Sequence, residues 1–369
     1  MRIDPEFKLD FDDVLLKPKR SQLKSRKDVE LIKTYIFKHS KKIWEGIPIM
    51  ASNMDTIGRF EMANVLARHK MLTVMNKFYS VDEWIDKCVD SNLFDDNEIA
   101  NYIIPSIGTS DSELEKFNNV YQKMTTKPNF LCIDVANGYG EYLLDFIKKV
   151  RGLYPDITLI SGNVVSAEMT EQLILSGTDI VKIGIGSSGV CTTRLKAGVG
   201  CPQLSSVIEC ADAAHGLGGH IISDGGCKTP ADVAKAFAGG ADFVMLGGML
   251  AGHDESGGDL IIERYLTNKI DDFGDQIVES KKFKIFYGMS SDTAQLKHYG
   301  EQKDYRASEG RTVKVPYKGP VETTVHEILG GLRSACTYVG ASCLKYLPRC
   351  ATFLLVHTTH NKVFEKYDM

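Results

Sequence analysis

The sequence predicts an α/β protein, a (β/α)8 TIM barrel with an N-terminal extension and a flap after its last strand. Three observations predict it. Short apolar runs ending in Gly, Asn, Asp or Ser recur eight times, with amphipathic segments between them. Most of these runs are continuously apolar rather than alternating, as strands covered on both faces must be. No GxGxxG follows the first run, which argues against the rival doubly wound open sheet.

Residues 1–45 mix polar and apolar positions and read as an extension that packs on the barrel. The barrel core is expected over 46–280. Its strands are IPIMASNM (47–54), MLTVMNK (71–77), NYIIPSIG (101–108), NFLCIDVAN (129–137), ITLISGNV (157–164), DIVKIGIG (179–186), HIISDGG (220–226) and DFVMLGG (242–248). The segments between them read as helices, and SVDEWIDKCV (80–89) opens with an N-cap serine followed by early acids. Residues 281–320 are polar, rich in Lys, Ser and Gly, and follow the eighth strand. Barrel sites are built from loops at that rim, so a long polar insertion there reads as an active-site flap. Residues 321–369 are expected to complete the barrel and make subunit contacts.

With 369 residues, 43% hydrophobic and 25% charged, the chain can bury one large core. A net charge of -4 and a pI near 6.2 argue against a nucleic-acid-binding surface. Basic residues cluster once, from Lys17 to Arg26 (KPKRSQLKSR), the pattern of a solvated surface or of a local phosphate site. No stretch is long and apolar enough to span a membrane, and MRIDPEFKLDF lacks the apolar core of a signal peptide. The nine cysteines form no CxxC pair and are odd in number. Several lie inside apolar runs, so they read as reduced thiols of a cytosolic protein.

The most informative segment is Gly184 to Arg194 (GIGSSGVCTTR), directly after the sixth run. Glycine and serine let the backbone turn tightly and present its polar groups to a small ligand. Cys191 follows that turn, where an exposed, electropositive setting would make a thiol nucleophilic. A buried structural thiol is the other reading, and it suits most of the remaining cysteines. SDGG (223–226) and LGG (246–248) end the seventh and eighth runs, where such barrels form phosphate sites from backbone N–H groups. Asp224 stands where it can accept from a ribose diol, so the pair suggests a nucleotide. YRASEGRT (305–312) gathers Arg306, Ser308, Glu309 and Arg311, the pattern of a catalytic lid carboxylate or of a solvated charge run. Asp134 ends the fourth run and is a further candidate. The nine histidines form no metal-ligand spacing. HEILGG at His326 lacks the second histidine of HExxH, so no zinc site is read there.

Gly184–Arg194, ISDGG, MLGGMLAG (245–252), FYGMSS (286–291), YRASEG and GGLRSACTYVGA (330–341) together resemble the IMP dehydrogenase/GMP reductase family. The similarity runs from LDFDDVLL (9–16) to the C-terminal region, and the reductase branch is the nearer. KLDFDDVLLKPKRSQLKSR, NMDTIG, IDVANGY and AGHDESGG are similar to that branch. The short stretch after Lys77 leaves no room for the CBS-domain pair usual in IMP dehydrogenases.

The resemblance implies NADPH-dependent reductive deamination of GMP to IMP and ammonia, through a covalent thioimidate on Cys191, with Thr193 and Glu309 handling protons. It implies that phosphate sits on Gly225, Gly226, Gly247 and Gly248, and the ribose on Asp224. Gly288, Met289 and Ser290, with Arg306, Ala307, Ser308 and Gly310, would close around phosphate and base. Lys77, Asp134, Val135, Ala136, Ile185, Gly186 and Tyr305 would meet the cofactor, as would Ser334, Ala335, Cys336 and Thr337. Ser25 and Arg26 would hold NADPH from a neighbouring subunit of a homotetramer. A potassium ion is implied at backbone carbonyls of Gly186, Ser188 and Cys191, with Arg194 in the same set.

There are departures. Ser187, Ser188 and Gly189 replace Pro-Gly-Ser, Asn76 and Phe78 flank Lys77 where the family has His-Lys-His, and Cys201 replaces an aromatic residue. Three alternatives stay open: IMP dehydrogenase activity without CBS domains, a non-catalytic purine-nucleotide sensor, and a flavin-dependent barrel oxidoreductase.

Overall fold

A computed structural model describes residues 3–87, 101–124, 126–270, 273–300 and 307–357. The extension contributes three short strands, β1 (Val14–Leu16), β2 (Lys33–Ile36) and β3 (Ile43–Gly46). The eight apolar runs then form the barrel. They are β4 (Ile49–Ala51), β5 (Leu72–Val74), β6 (Ile103–Ile104) with β7 (Ser106–Ile107), β8 (Phe130–Asp134), β9 (Thr158–Val164), β10 (Ile180–Ile183), β11 (His220–Asp224) and β12 (Phe243–Leu246). All pair in parallel, in the order β6-β5-β4-β12-β11-β10-β9-β8-β7. β6 and β7 are two halves of the third run, parted at Pro105, whose nitrogen has no proton to donate. β6 bonds to β5 and β7 to β8, while the Pro105 carbonyl accepts the Cys132 N–H at 2.9 Å. The two halves together close the ring.

Each strand is shorter than its apolar run. In HIISDGG, Gly225 and Gly226 take φ of 84° and 85°, so the chain leaves the sheet after Asp224 and the glycines join the rim. The return segments are helices with apolar faces turned inward. In SVDEWIDKCV, the helix Val81–Ile85 is capped by Ser80, which accepts the Glu83 N–H at 3.1 Å. The Glu83 carboxylate accepts the Ser80 N–H in return at 2.7 Å. Cys88 and Val89 lie outside the described residues.

Alternate side chains of each strand enter two cores. Leu131, Ile133, Leu159 and Val181 pack outward against the helices, whereas Phe130, Cys132, Ile160 and Ile180 fill the barrel interior. Burial on both faces is why the runs carry no polar alternation. The hairpin β2–β3 plugs the end of the barrel where the strands begin. Tyr35 stacks on Phe243 with centroids 4.6 Å apart, Phe37 meets Phe130 edge-on at 5.5 Å, and Trp44 lies 5.5 Å from Phe243. The Tyr35 hydroxyl donates to the Asp242 carbonyl at 2.5 Å.

After β12 the chain leaves the barrel. β13 (Leu260–Ile270), β14 (Gln276–Tyr287) and β15 (Thr312–Pro316) form an antiparallel three-stranded sheet, so the insertion begins before the 281 read from the sequence. The chain returns through the helix Glu322–Val339 and ends its described part at β16 (Phe353–Leu355), which pairs with β1. No helix among the described residues is long and apolar enough to cross a membrane.

Trp44 is 5% exposed and is the bulkiest ring of the plug. Trp44→Ala should lower the unfolding free energy by about 3–5 kcal/mol, measured by chemical denaturation. A loss below about 0.5 kcal/mol, the size of an ordinary surface change, would mean that the hairpin does not help close the barrel.

Candidate active site

The strand ends and the β13–β15 insertion enclose a cavity of about 590 Å³. That volume is within the range of small-molecule sites. Its floor is built around Lys182. This lysine stands in the middle of β10, and its side chain is only 2% exposed. A lone ammonium cannot stay charged in such a place without partners. It has two: it donates to Asp134 at the end of β8, and Asp224 at the end of β11 lies 3.3 Å away. Asn163 donates to Asp224 at 2.8 Å from β9. Burial would depress the Lys182 ammonium, but Asp134 and then Asp224 outweigh it and hold it above its ordinary range. Burial would likewise raise the Asp134 carboxyl, but Lys182 overcomes this and holds it below the usual carboxylate range. Asp134 therefore faces the cavity as an ionised acceptor, and Asp224 lines it beside the same ammonium, where a carboxylate can accept from a sugar diol. Sequence reasoning missed Lys182 and Asn163. A lysine inside an otherwise apolar run was the available signal.

Cys191 stands on the rim after β10, next to Thr193 at the start of the helix Thr193–Lys196. Its Sγ lies 3.2 Å from Thr193 Oγ1, which donates to Glu309 Oε2 at 2.7 Å. The threonine has one proton and gives it to the carboxylate, so the thiol is the donor in the other contact. The three groups form a line along which a proton can pass from sulfur to carboxylate. Glu309 arrives from the insertion, and backbone bonds hold it there. Thr192 N–H donates to the Glu309 carbonyl at 2.8 Å, and Arg311 N–H to Val190 at 3.0 Å. A bridge pairs Cys191 with Gly310, where an added Cβ would meet the Ser291 nitrogen at 2.7 Å. Only glycine permits that approach.

The two glycine pairs come together because β11 and β12 are neighbours. Gly225, Gly226, Gly247 and Gly248 line the same cavity as Cys191, and so do Gly288, Met289 and Ser290. Asp134, Val135, Ala136, Ile185, Gly186 and Ser188 line it as well. Ser187 donates to the Asp224 carbonyl at 2.8 Å, tying the altered turn to β11. Ser308 accepts through its carbonyl from Thr192 at 3.3 Å, beside Ala307. Arg194 turns away from the cavity, to Asp10 at 3.2 Å and the Cys201 carbonyl at 2.6 Å.

Other candidates lie apart. Lys77 does not line the main cavity; it pairs with Glu113 at 2.8 Å over a small adjoining one. Ser25 caps the short helix Arg26–Asp28, which packs on the helix Glu322–Val339. Arg333 of that helix donates to the Val29 carbonyl. Ser25 and Arg26 are thus on the flank that carries Ser334, Ala335, Cys336 and Thr337, outside the cavity, and Cys336 is fully buried. Tyr305 and Arg306 lie outside the described residues.

A second missed residue anchors the insertion. Asp55 Oδ2 accepts from the Tyr287 hydroxyl at 2.6 Å, His298 at 2.7 Å and Lys297 at 3.0 Å. Burial would raise the Asp55 carboxyl, but these three donors keep it low. Burial, helped by Asp55, pushes the Tyr287 phenol up to about 12. Phe78 stacks on the His298 ring at 3.5 Å with the planes 9° apart. The segment Gly288–Ser290 follows Tyr287 directly and is held over the cavity by this knot.

Residues 8–366 match the family model described as the IMP dehydrogenase / GMP reductase domain. The chain is 55% identical over 364 residues, 99% of each chain, to proteins named GMP reductase from Shigella boydii serotype 18 (strain CDC 3083-94 / BS512) and Escherichia coli O157:H7. It is 54% identical over 366 residues, again 99% of each chain, to one of the same name from Enterobacter sp. (strain 638).

Lys182→Met leaves two carboxylates facing each other. The loss near neutral pH should be on the order of 2–3 kcal/mol, below the about 3–5 kcal/mol of a fully buried pair because the cavity wets both acids. In the wild type, a depressed Asp134 stabilises the fold above the ordinary carboxylate range, and that gain is lost as pH falls through its folded value. In the variant the acids are relieved by protonation. The gap between the proteins should therefore shrink as pH falls towards about 4. Denaturation curves at the two pH values test this, and a gap that widens in acid would refute the assignment.

Proposed function

The chain belongs to the IMP dehydrogenase/GMP reductase family, and from that premise we propose that it converts GMP to IMP and ammonia with NADPH. End-to-end similarity to GMP reductases supports the reaction class. The line Cys191–Thr193–Glu309, at the mouth of a cavity with two glycine pairs on its far wall, carries the mechanism.

In this reading the phosphate lies on Gly225, Gly226, Gly247 and Gly248, and the ribose hydroxyls donate to Asp224. Lys182 stands 3.3 Å from that acceptor and holds its orientation. Gly288, Met289 and Ser290, with Arg306, Ala307, Ser308 and Gly310, close over the nucleotide. Glu309 takes the thiol proton through Thr193, and the Cys191 thiolate attacks C2 of the guanine. The proton then returns along the same line to the 2-amino group, which leaves as ammonia. Cys191 remains bonded to C2 as a thioimidate, an electrophile held in place. Bound NADPH supplies the hydride that C2 receives, after which the C2–S bond breaks and the thiolate is restored.

Asp134, Val135, Ala136, Ile185 and Gly186 line the cavity with Cys191 and suit the nicotinamide half of the cofactor; the family resemblance assigns Lys77 and Tyr305 to the cofactor as well. Ser25, Arg26, Ser334, Ala335 and Thr337 share one outer flank, and the Cys336 side chain beneath them is buried in the core. They fit a cofactor reaching across from a neighbouring subunit of a homotetramer, with Arg26 suited to a 2′-phosphate. The carbonyls of Gly186, Ser188 and Cys191 would hold a potassium ion. An all-oxygen donor set suits a hard cation, and Ser188 and Cys191 are already joined by a 3.0 Å backbone turn bond. Arg194 has committed its guanidinium elsewhere, so only its main-chain oxygen is left for the ion. The ion would supply positive charge and stiffness beneath the thiol. We place the enzyme in the cytosol, where its thiols stay reduced.

Parallel cuvettes of GMP with NADPH and of IMP with NAD⁺ test the reaction by absorbance of the reduced nicotinamide. A fall in the first, with IMP and ammonia formed, is expected. A rise in the second alone would assign the dehydrogenase reaction, and silence in both with GMP bound would assign a sensor. Cys191→Ala should abolish turnover. Thr193→Ala and Glu309→Gln should each lower kcat by about 10²–10⁴-fold while leaving GMP affinity within a few-fold. Equal losses in affinity would move both residues from proton transfer to binding.

A further inference from the structure

The HEILGG motif holds one histidine, too few for a metal site by itself. The fold supplies the second. His326 lies four residues after Glu322 on the helix Glu322–Val339, which puts both on one face. His69 ends the helix Phe60–Arg68, the one that follows the first barrel strand. These two helices follow the eighth and first strands, which are bonded neighbours, so they meet at the seam where the ring closes.

His69 Nε2 lies 2.6 Å from Glu322 Oε1, and His326 Nε2 lies 3.4 Å from the same oxygen. One ligand atom from each residue falls within a 4.8 Å group. The two imidazole rings stand edge to face, 5.5 Å apart. We propose that His69, Glu322 and His326 form a transition-metal site, for a zinc-like divalent cation, that staples the barrel's last helix to its first.

The chemistry favours this class of ion. Two imidazoles and one carboxylate suit zinc, nickel or cobalt rather than calcium or magnesium. Bonds of about 2.0–2.1 Å in a tetrahedral site set ligand atoms ~3.3 Å apart. The His326–Glu322 separation already meets that, and His69 needs to draw back by less than ~1 Å as metal replaces the shared proton. The backbone there is fixed. His69 N–H donates to the Leu66 carbonyl at 3.0 Å, and the N–H of Val321, next to Glu322, donates to the Glu255 carboxylate at 2.9 Å. The positive end of the helix opposes a cation, and the Glu322 carboxylate offsets it. His69 is 18% exposed and His326 66%, so the remaining coordination positions open to water. Such a three-ligand site is structural here, since it lies on the outer flank of the barrel.

The test is calorimetric titration of the chelator-treated full chain with Zn²⁺ alone, alongside His326→Ala and Glu322→Gln. Thiols bind zinc in all three proteins, so the difference between them is the readout. The wild type should bind one more equivalent than His326→Ala, or bind it at least about tenfold more tightly. Zn²⁺ should also raise the Tm of the wild type and not of the variant. GMP turnover without added metal should be the same in wild type and His326→Ala, which separates this site from the reaction. Equal stoichiometry and affinity in wild type and His326→Ala would overturn the proposal and leave the three residues as a hydrogen-bonded cluster.

Discussion

Closure of the parallel sheet is the constraint to which the other features answer. A parallel strand with an unpaired side leaves backbone groups without partners, and helices around a ring cover only its flanks. The chain meets this even where its own composition resists it. Pro105 sits inside the third strand, and the strand splits into halves that serve one neighbour each. Once the ring is shut, its two ends differ. The strand starts are stoppered by Tyr35, Phe37 and Trp44, which leaves the strand ends as the open rim among the described residues. Chemistry is confined to that rim by packing at the other.

The rim then has to be polar while its strands are not. Lys182 is the physical answer. One buried cation between Asp134 and Asp224 lets two strand ends present charge without unbalancing the interior. The same logic repeats at Asp55, where three donors converge on one carboxylate and fasten the insertion to the barrel. Each knot joins segments far apart in the chain, so each forms only when the barrel has formed.

That distance also explains what was legible in the sequence. The eight strands could be read because burial on both faces forces continuous apolarity, and the glycine pairs because strand ends need turns. The β13–β14 hairpin could not: much of it faces water on both sides, so its residues follow no apolar period. Cys191 was readable from its glycine-rich turn, whereas the role of Thr193, two residues on, is implied only by the family resemblance. Glu309 stands 116 residues beyond Thr193, and Asp55 is 232 residues from Tyr287. No local pattern ties such partners. Glu309 could be read only as a lid carboxylate or a solvated charge, with nothing to tie it to the thiol, and Asp55 and Lys182 carried no local signal of their partners. Ser25 and Arg26 stand far ahead of the run 334–337 in the chain; the fold sets the two segments on one flank.

The split of the proton line between two segments has a protective side. A cysteine is most vulnerable to peroxide as a thiolate, and oxidation beyond the first step is irreversible. Here Glu309, the proposed acceptor of the Cys191 proton, rides on the insertion, joined to the thiol loop by backbone bonds. The proposed path for the proton therefore exists only where the insertion lies against the thiol loop, so the same contacts that line up the three groups also cover the sulfur.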